Sequence, residues 1–197
     1  MIELAIIKKG MVIMNRTETA IIDCFWQLLD EKPYNKITVK NIVERCQVNR
    51  NTFYYHFQDI PELLERVIKQ EADEIIKDYT QFKKIDDCIT PIIQISLSKK
   101  NAILNIYHSV HRDIFLSHLN RMTLYFVDKY INIITENLPM HPYDKSLLIR
   151  FYKSALIGIF LDWLDENMNY DIAEAFSRIS DLFSGAIDRA FLKASIK

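Results

Sequence analysis

Glycine and proline are scarce here, with three and five copies in 197 residues. Sandwiches, barrels and open sheets need frequent tight turns, so this shortage of breakers excludes them and favours an all-α chain. No apolar run approaches the ~18–20 residues a membrane span requires. No GxSxG, Walker loop or GxGxxG occurs, nor a plausible nucleophile beside a base, so we expect no enzyme and no cofactor. Cys24, Cys46 and Cys88 are odd in number and widely spaced, without a CxxC or Cys/His zinc pattern. That excludes a disulfide scaffold and leaves reduced thiols in a cytoplasmic protein as the expectation. The opening "MIELAIIKKGMVIM" places its lysines after the apolar stretch, the wrong order for a secretory signal. Met11 and Met14 could each serve as a start, so residues 1–14 are expected to be an extension.

What is present is apolar content of 49%, enough for a sizeable core, with 26% charged residues. Net charge is −1, but it is unevenly placed. Through Gln58 there are eight Lys and Arg against six Asp and Glu, a net of +2, which points weakly to a polyanion facing the N-terminal part.

Helical spacing recurs along the chain. Ile21, Ile22, Phe25, Leu28 and Leu29 predict a helix over about 17–31, closed by Pro33. "ITVKNIVERC" predicts a short helix with Thr38 as N-cap. Cys46 and Gln47 interrupt it, and a second short helix follows over about 49–57. In "DIPE", Asp59 can cap the next helix while Glu62 reaches back. That helix is predicted to run to about residue 82. Four or five more are expected, including 114–137, 143–167 and 172–193, for about nine in all.

Three helices, two of them short and joined by a three-residue turn, are the pattern of a helix-turn-helix unit. The second short helix must hold Val48, Phe53 and Phe57 against its neighbours and turn its opposite edge to a major groove. Arg50 can present a fork to guanine or phosphate, and Asn51 can pair with adenine or cap the helix. Thr38, Thr52, Tyr54 and His56 offer donors to phosphate oxygens, and Tyr55 can lie along base edges. Lys36 and Lys40 lie near enough in sequence to assist, and Asn49 opens the helix.

"ITVKNIVERCQVNRNTFYYHFQDIPELLERV" resembles the DNA-binding domain of the tetracycline-repressor (TetR) family of regulators. The family's threonine opening the second helix falls on Thr38. Its serine-arginine-glycine-threonine stretch falls on Asn49, Arg50, Asn51 and Thr52, and its aromatic string on Phe53 to Phe57. The resemblance covers roughly residues 16–66. Two departures stand out. The glycine usual in the turn is Gln47, which then needs a strained backbone or another turn. The family's phosphate-binding lysine falls on Ile60, beside Asp59. "YYHF" and "GIFLDWLDENMNYD" are similar to a Gram-positive subgroup of dihydroxyacetone-kinase regulators.

The resemblance implies residues 15–60 as the DNA-binding domain and 61–197 as a helical effector-binding and dimerisation domain, working as a homodimer on double-stranded DNA. A single helix-turn-helix makes few base contacts, so two copies about one DNA turn apart are the independent expectation. Ile159, Phe160 and Trp163 on one late helix, with Ile179, Phe183 and Ile187 on the next, are the candidate interface, and Gly158 would allow close approach. Tyr107, His108, His111, Arg112, Tyr125 and Tyr152 are candidate lining for a pocket taking a small organic effector, an anionic one if Arg112 and His108 act together. A ligand-responsive repressor on a palindromic operator is the leading expectation. The alternatives are a co-activator or interaction module with a degenerate DNA head, and a small metalloenzyme using His108 and His111.

Overall fold

The computed structural model describes residues 2–78, 89–136 and 140–183. Among them lie nine α-helices and no strand, so the all-α expectation holds. The order is α1 (Ile2–Glu31), a 3-10 turn (Tyr34–Lys36), α2 (Val39–Arg45), α3 (Arg50–His56), α4 (Ile60–Asp78), α5 (Thr90–Ser98), α6 (Lys100–Tyr107), α7 (Arg112–Ile134), α8 (Pro142–Asp165) and α9 (Ile172–Leu182). Helix α1 is continuous from Ile2, where periodicity alone suggested a start near Thr17. The predicted ends of the fourth and ninth helices lie outside the described residues.

Two compact units divide the chain. One comprises residues 1–69 with 99–115, and the other 70–98 with 116–197. This differs from the expected boundary at residue 60, because α6 returns to pack along α1. Asn105 Nδ2 fastens that return by donating to the Leu29 carbonyl at 2.8 Å.

In the first unit, Ile21, Phe25, Leu28 and Leu29 of α1 are buried, as are Ile42 of α2, Phe53 of α3, Phe57 just beyond it, and Leu63, Leu64 and Val67 of α4. Each such side chain contributes about 1.5–3 kcal/mol on leaving water. Helices α2 and α3, of seven residues each, are too short to persist alone, so this small core and their caps fix the angle at which α3 is presented.

In the second unit, Leu119, Met122, Phe126, Val127 and Ile131 of α7 are buried, with Leu156, Phe160, Trp163 and Leu164 of α8 and Ile172 and Phe176 of α9. Trp163 Nε1 donates to the Tyr170 carbonyl at 2.9 Å. That bond closes the α8–α9 turn, where Asn167 and Met168 both take positive φ, 54° and 56°. No helix among the described residues is long and apolar enough to cross a membrane.

Candidate nucleic-acid interface

Each helix start around α3 is held by its own sequence. At α2, the Asn41 backbone N–H donates to Thr38 Oγ1 at 3.2 Å, and the Thr38 N–H donates to Asn41 Oδ1 at 3.1 Å. At α3, Asn49 Oδ1 accepts from the Thr52 N–H at 2.8 Å. At α4, Asp59 Oδ1 accepts from the Glu62 N–H at 2.8 Å, while Glu62 Oε2 accepts from the Gln58 N–H at 2.7 Å. These bonds satisfy amides a helix start leaves open, each cap contributing about 1 kcal/mol.

Between α2 and α3 the chain turns at Gln47, whose φ is 54°. A side chain there costs about 1–2 kcal/mol relative to the right-handed region. The expected departure from glycine is thus accommodated by a strained backbone at Gln47. The turn also rests on α1. Arg45 donates from both guanidinium nitrogens to the Glu31 carboxylate at 2.7 Å each, and that hydrogen bonding holds the Glu31 carboxyl below its ordinary range. Beneath the turn after α1, Tyr34 packs edge-on to Phe25 and His111, with centroids 6.4 and 5.4 Å apart. Burial, aided by the Asp59 charge, pushes its phenol up to about 12.

Helix α3 therefore has two unlike edges. Phe53 and Phe57 are buried inward. Asn49, Arg50, Asn51, Tyr54 and Tyr55 are exposed, and Thr52 and His56 half-buried. Tyr55 is the most open of its aromatics, at 70%. The Arg50 guanidinium lies 5.8 Å from the Tyr54 ring centre, and Tyr55 and His56 meet edge-on at 5.3 Å. A fork, an amide and phenols lie on one edge of a short helix, which is what a groove of base edges and phosphates requires. Lys36 and Lys40 are exposed on preceding elements. Lys40 Nζ is only loosely paired, 3.8 Å from Glu44.

The side chains do not all serve as the sequence suggested. Asn49 is the cap of α3, so capping does not occupy Asn51. The Thr38 hydroxyl donates to Asn41 Oδ1 at 2.9 Å and the Thr52 hydroxyl to Asn49 Oδ1 at 3.0 Å. Either must release that bond before donating to a phosphate, which only accepts. Asp59 is drawn into the α4 cap, and Ile60 beside it carries no charge for a phosphate.

The candidate pocket residues fall in different places. Tyr107 is fully buried, and its hydroxyl accepts from Arg112 Nη2 at 3.1 Å beneath a guanidinium 4.4 Å from the ring. His111 packs on Tyr34, while His108 is exposed. All four belong to the first unit, whereas Tyr125 and Tyr152, both half-buried, belong to the second. None lines the cleft of about 380 Å³ in the second unit, formed by Glu71, Glu74 and Ile75 of α4 with Pro91, Gln94, Ile95 and Ser98 of α5. Among the described residues, no three His, Cys, Asp or Glu side chains gather to hold a metal ion.

The candidate interface also needs correction. Phe160 and Trp163 are fully buried within the chain itself, so neither can offer its side chain to a second copy. Ile159 and Ile179 are half-buried, Phe183 is exposed, and Ile187 lies outside the described residues. Sequence reasoning missed the outward face of α8. Tyr143, Leu147 and Phe151 are exposed at successive four-residue steps, continued by Ala155 and Gly158. A methyl group at Gly158 would meet nothing within 4 Å. The i, i+4 spacing was the available signal.

Comparison with known proteins bears on both halves. The family described as "Bacterial regulatory proteins, tetR family" matches residues 21–67. The family described as "Transcriptional regulator C-terminal region" matches residues 83–185. The dhaKLM operon transcriptional activator DhaS of Lactococcus lactis is 30% identical over 66 residues, 34% of this chain. YxbF of Bacillus subtilis, an uncharacterized HTH-type transcriptional regulator, is 25% identical over 155 residues, 77% of this chain. The matched stretches span only 35% and 40% of those two proteins' own lengths. The solved structure of a dihydroxyacetone kinase operon activator, DhaS, shares the fold at TM-score 0.71 and 21% identity, over 87% of this chain and 96% of that one.

Proposed function

The chain belongs to the TetR family of bacterial regulators, and we propose that it binds a palindromic operator as a homodimer and represses the adjoining genes until a small molecule releases it. As a family member it is a transcriptional regulator with a DNA-binding domain. The observation that carries the reading is the division of α3 into a buried edge, Phe53 and Phe57, and an exposed edge of Arg50, Asn51 and Tyr55.

In this reading Arg50 and Asn51 read base edges, Tyr55 lies against a thymine methyl, and Lys36 and Lys40 hold phosphates. The exposed α8 stripe supports pairing of two copies through Tyr143, Leu147 and Phe151, with Gly158 letting the helices approach. The α4–α5 cleft has the volume of a small-molecule site. Glu71 and Glu74 at its edge disfavour the anionic ligand that Arg112 and His108 suggested. A cytoplasmic location fits a partner that is chromosomal DNA.

One second reading has a specific motive. The Lactococcus relative is named an activator, so the sign of regulation is open to the same experiment. Deleting the gene should raise transcription of its neighbours under repression and lower it under activation.

The test of DNA binding needs only purified protein and its own upstream DNA. Four phosphate contacts per dimer, from Lys36 and Lys40 in each head, predict a log–log slope of affinity against salt of about −4. Absence of a shift at low salt would favour an interaction module whose head no longer holds DNA, as Ile60 in place of a basic residue would suggest.

A further inference from the structure

We propose that Tyr54 acts in operator recognition through Arg50, its ring holding the guanidinium ready for a guanine edge. That makes it a positioning residue, in place of the phosphate contact its hydroxyl suggested. The inference rests on the reading of α3 given above, in which Arg50 reads a base. It adds what steadies the arginine before DNA arrives.

The two residues stand four apart on α3, neighbours on one face. Helical side chains lean toward the N-terminus, so the ring of residue 54 comes back over residue 50. The guanidinium carbon lies over that ring, 5.8 Å from its centre, within reach of a cation–π attraction. The ring is itself supported. Phe53, fully buried, meets Tyr54 edge-on, with centroids 5.5 Å apart and planes at 86°. Phe53 packs in turn on Phe57 at 5.9 Å. A line of aromatic contacts thus runs from the core of the first unit to the arginine. Tyr54 is 48% exposed against 70% for Tyr55, as befits a ring laid back along the helix. Among the described residues, neither the Arg50 guanidinium nor the Tyr54 hydroxyl makes a hydrogen bond or ion pair.

The contrast with Arg45 shows why a ring suits this position. The Glu31 carboxylate takes both terminal nitrogens of Arg45 at 2.7 Å each, which occupies the fork. Attraction to a ring face uses none of the guanidinium's N–H donors, so Arg50 keeps its fork for guanine O6 and N7. A long side chain also loses rotamer freedom when it reaches a base. A ring that has narrowed that freedom beforehand reduces the loss. The gain is realised where the fork meets both guanine acceptors, so Tyr54 sharpens the choice of base as well as the affinity.

The experiment titrates the full chain against its own upstream DNA and against single-base-pair variants of the bound site. Arg50→Ala is expected to flatten the preference at one base pair per half-site, and so to mark the guanine. Tyr54→Leu should flatten the same base pair and no other, and lower affinity about five- to thirtyfold over two heads. Tyr54→Phe keeps the ring and should stay within about twofold of the unaltered protein in both respects. In the Arg50→Ala background, Tyr54→Leu should cost less than about twofold more. Base preference is a ratio between two DNAs on one protein sample, so a smaller folded fraction does not alter it. Three results would overturn the proposal: a loss in Tyr54→Phe equal to that in Tyr54→Leu, an equal loss from Tyr54→Leu with and without Arg50, or a guanine preference that survives Tyr54→Leu. The last of these leaves Arg50 as the base reader and removes only the role of Tyr54. Unchanged affinity and preference in Arg50→Ala would instead overturn the reading of α3, and this inference with it.

Discussion

Helices α3 and α8 both turn aromatic side chains outward, and the company those aromatics keep separates their uses. On α3, Tyr54 and Tyr55 stand among Arg50, Asn51 and His56, with a donor or acceptor at nearly every exposed position. On α8, Tyr143, Leu147 and Phe151 are followed by Ala155 and Gly158, an apolar strip that narrows to small residues. A surface that must meet phosphates and base edges needs directional bonds at fixed points. One that must meet another helix needs area and close approach. Exposure alone does not distinguish them; the neighbours at one helical turn do.

Substitutions can break this contrast from either side. Phe151→Glu places a charge in the middle of the α8 strip, and it should convert the proposed dimer to monomer at micromolar protein, read by sedimentation, with helical content unchanged. DNA affinity should then fall as a consequence, since one head alone makes few contacts. A Phe151→Glu protein that remains dimeric would remove α8 as the interface. Arg50→Ala with Tyr55→Ala should cost at least about a hundredfold in DNA affinity, the loss of a bidentate base contact being worth about 1–3 kcal/mol in each head. Its sedimentation should match the unaltered protein. Full DNA binding by that double variant would show that α3 is not the reading helix.

Two smaller changes sharpen the account of how α3 is aimed. Gln47→Gly relieves a side chain held at positive φ and should stabilise the first unit by about 1 kcal/mol, measured as a raised denaturant midpoint. Glu31→Gln should remove a pH dependence. The Glu31 carboxyl is held below its ordinary value by Arg45, so the stability it contributes is present above the unfolded carboxylate range and is lost as pH falls through the folded value. Unaltered protein should lose more stability on acidification than Glu31→Gln does.

Much of the first unit was legible because its signals are local. Thr38 and Asp59 announce helix starts through the residue three places on, and Phe53 and Phe57 share a face by spacing alone. The return of α6 onto α1 was not legible, since the Asn105–Leu29 bond joins positions remote in the chain. The α8 face was misjudged for a different reason. That helix is apolar around much of its circumference, so periodicity marks Phe160, Trp163 and Phe151 alike and cannot say which look inward. The surroundings of the candidate pocket residues were not legible either, because residue type does not reveal that Arg112 covers Tyr107 or that His111 lies on Tyr34.

The caps carry one further consequence. Thr38, Asn49 and Asp59 secure three helix starts with side chains set apart from Arg50, Asn51 and Tyr55. The architecture thus separates what builds the head from what it spells. If positions 50, 51 and 55 read the operator as proposed, descendants of this gene can drift there, acquiring new target sites, without first surviving an unfolded intermediate.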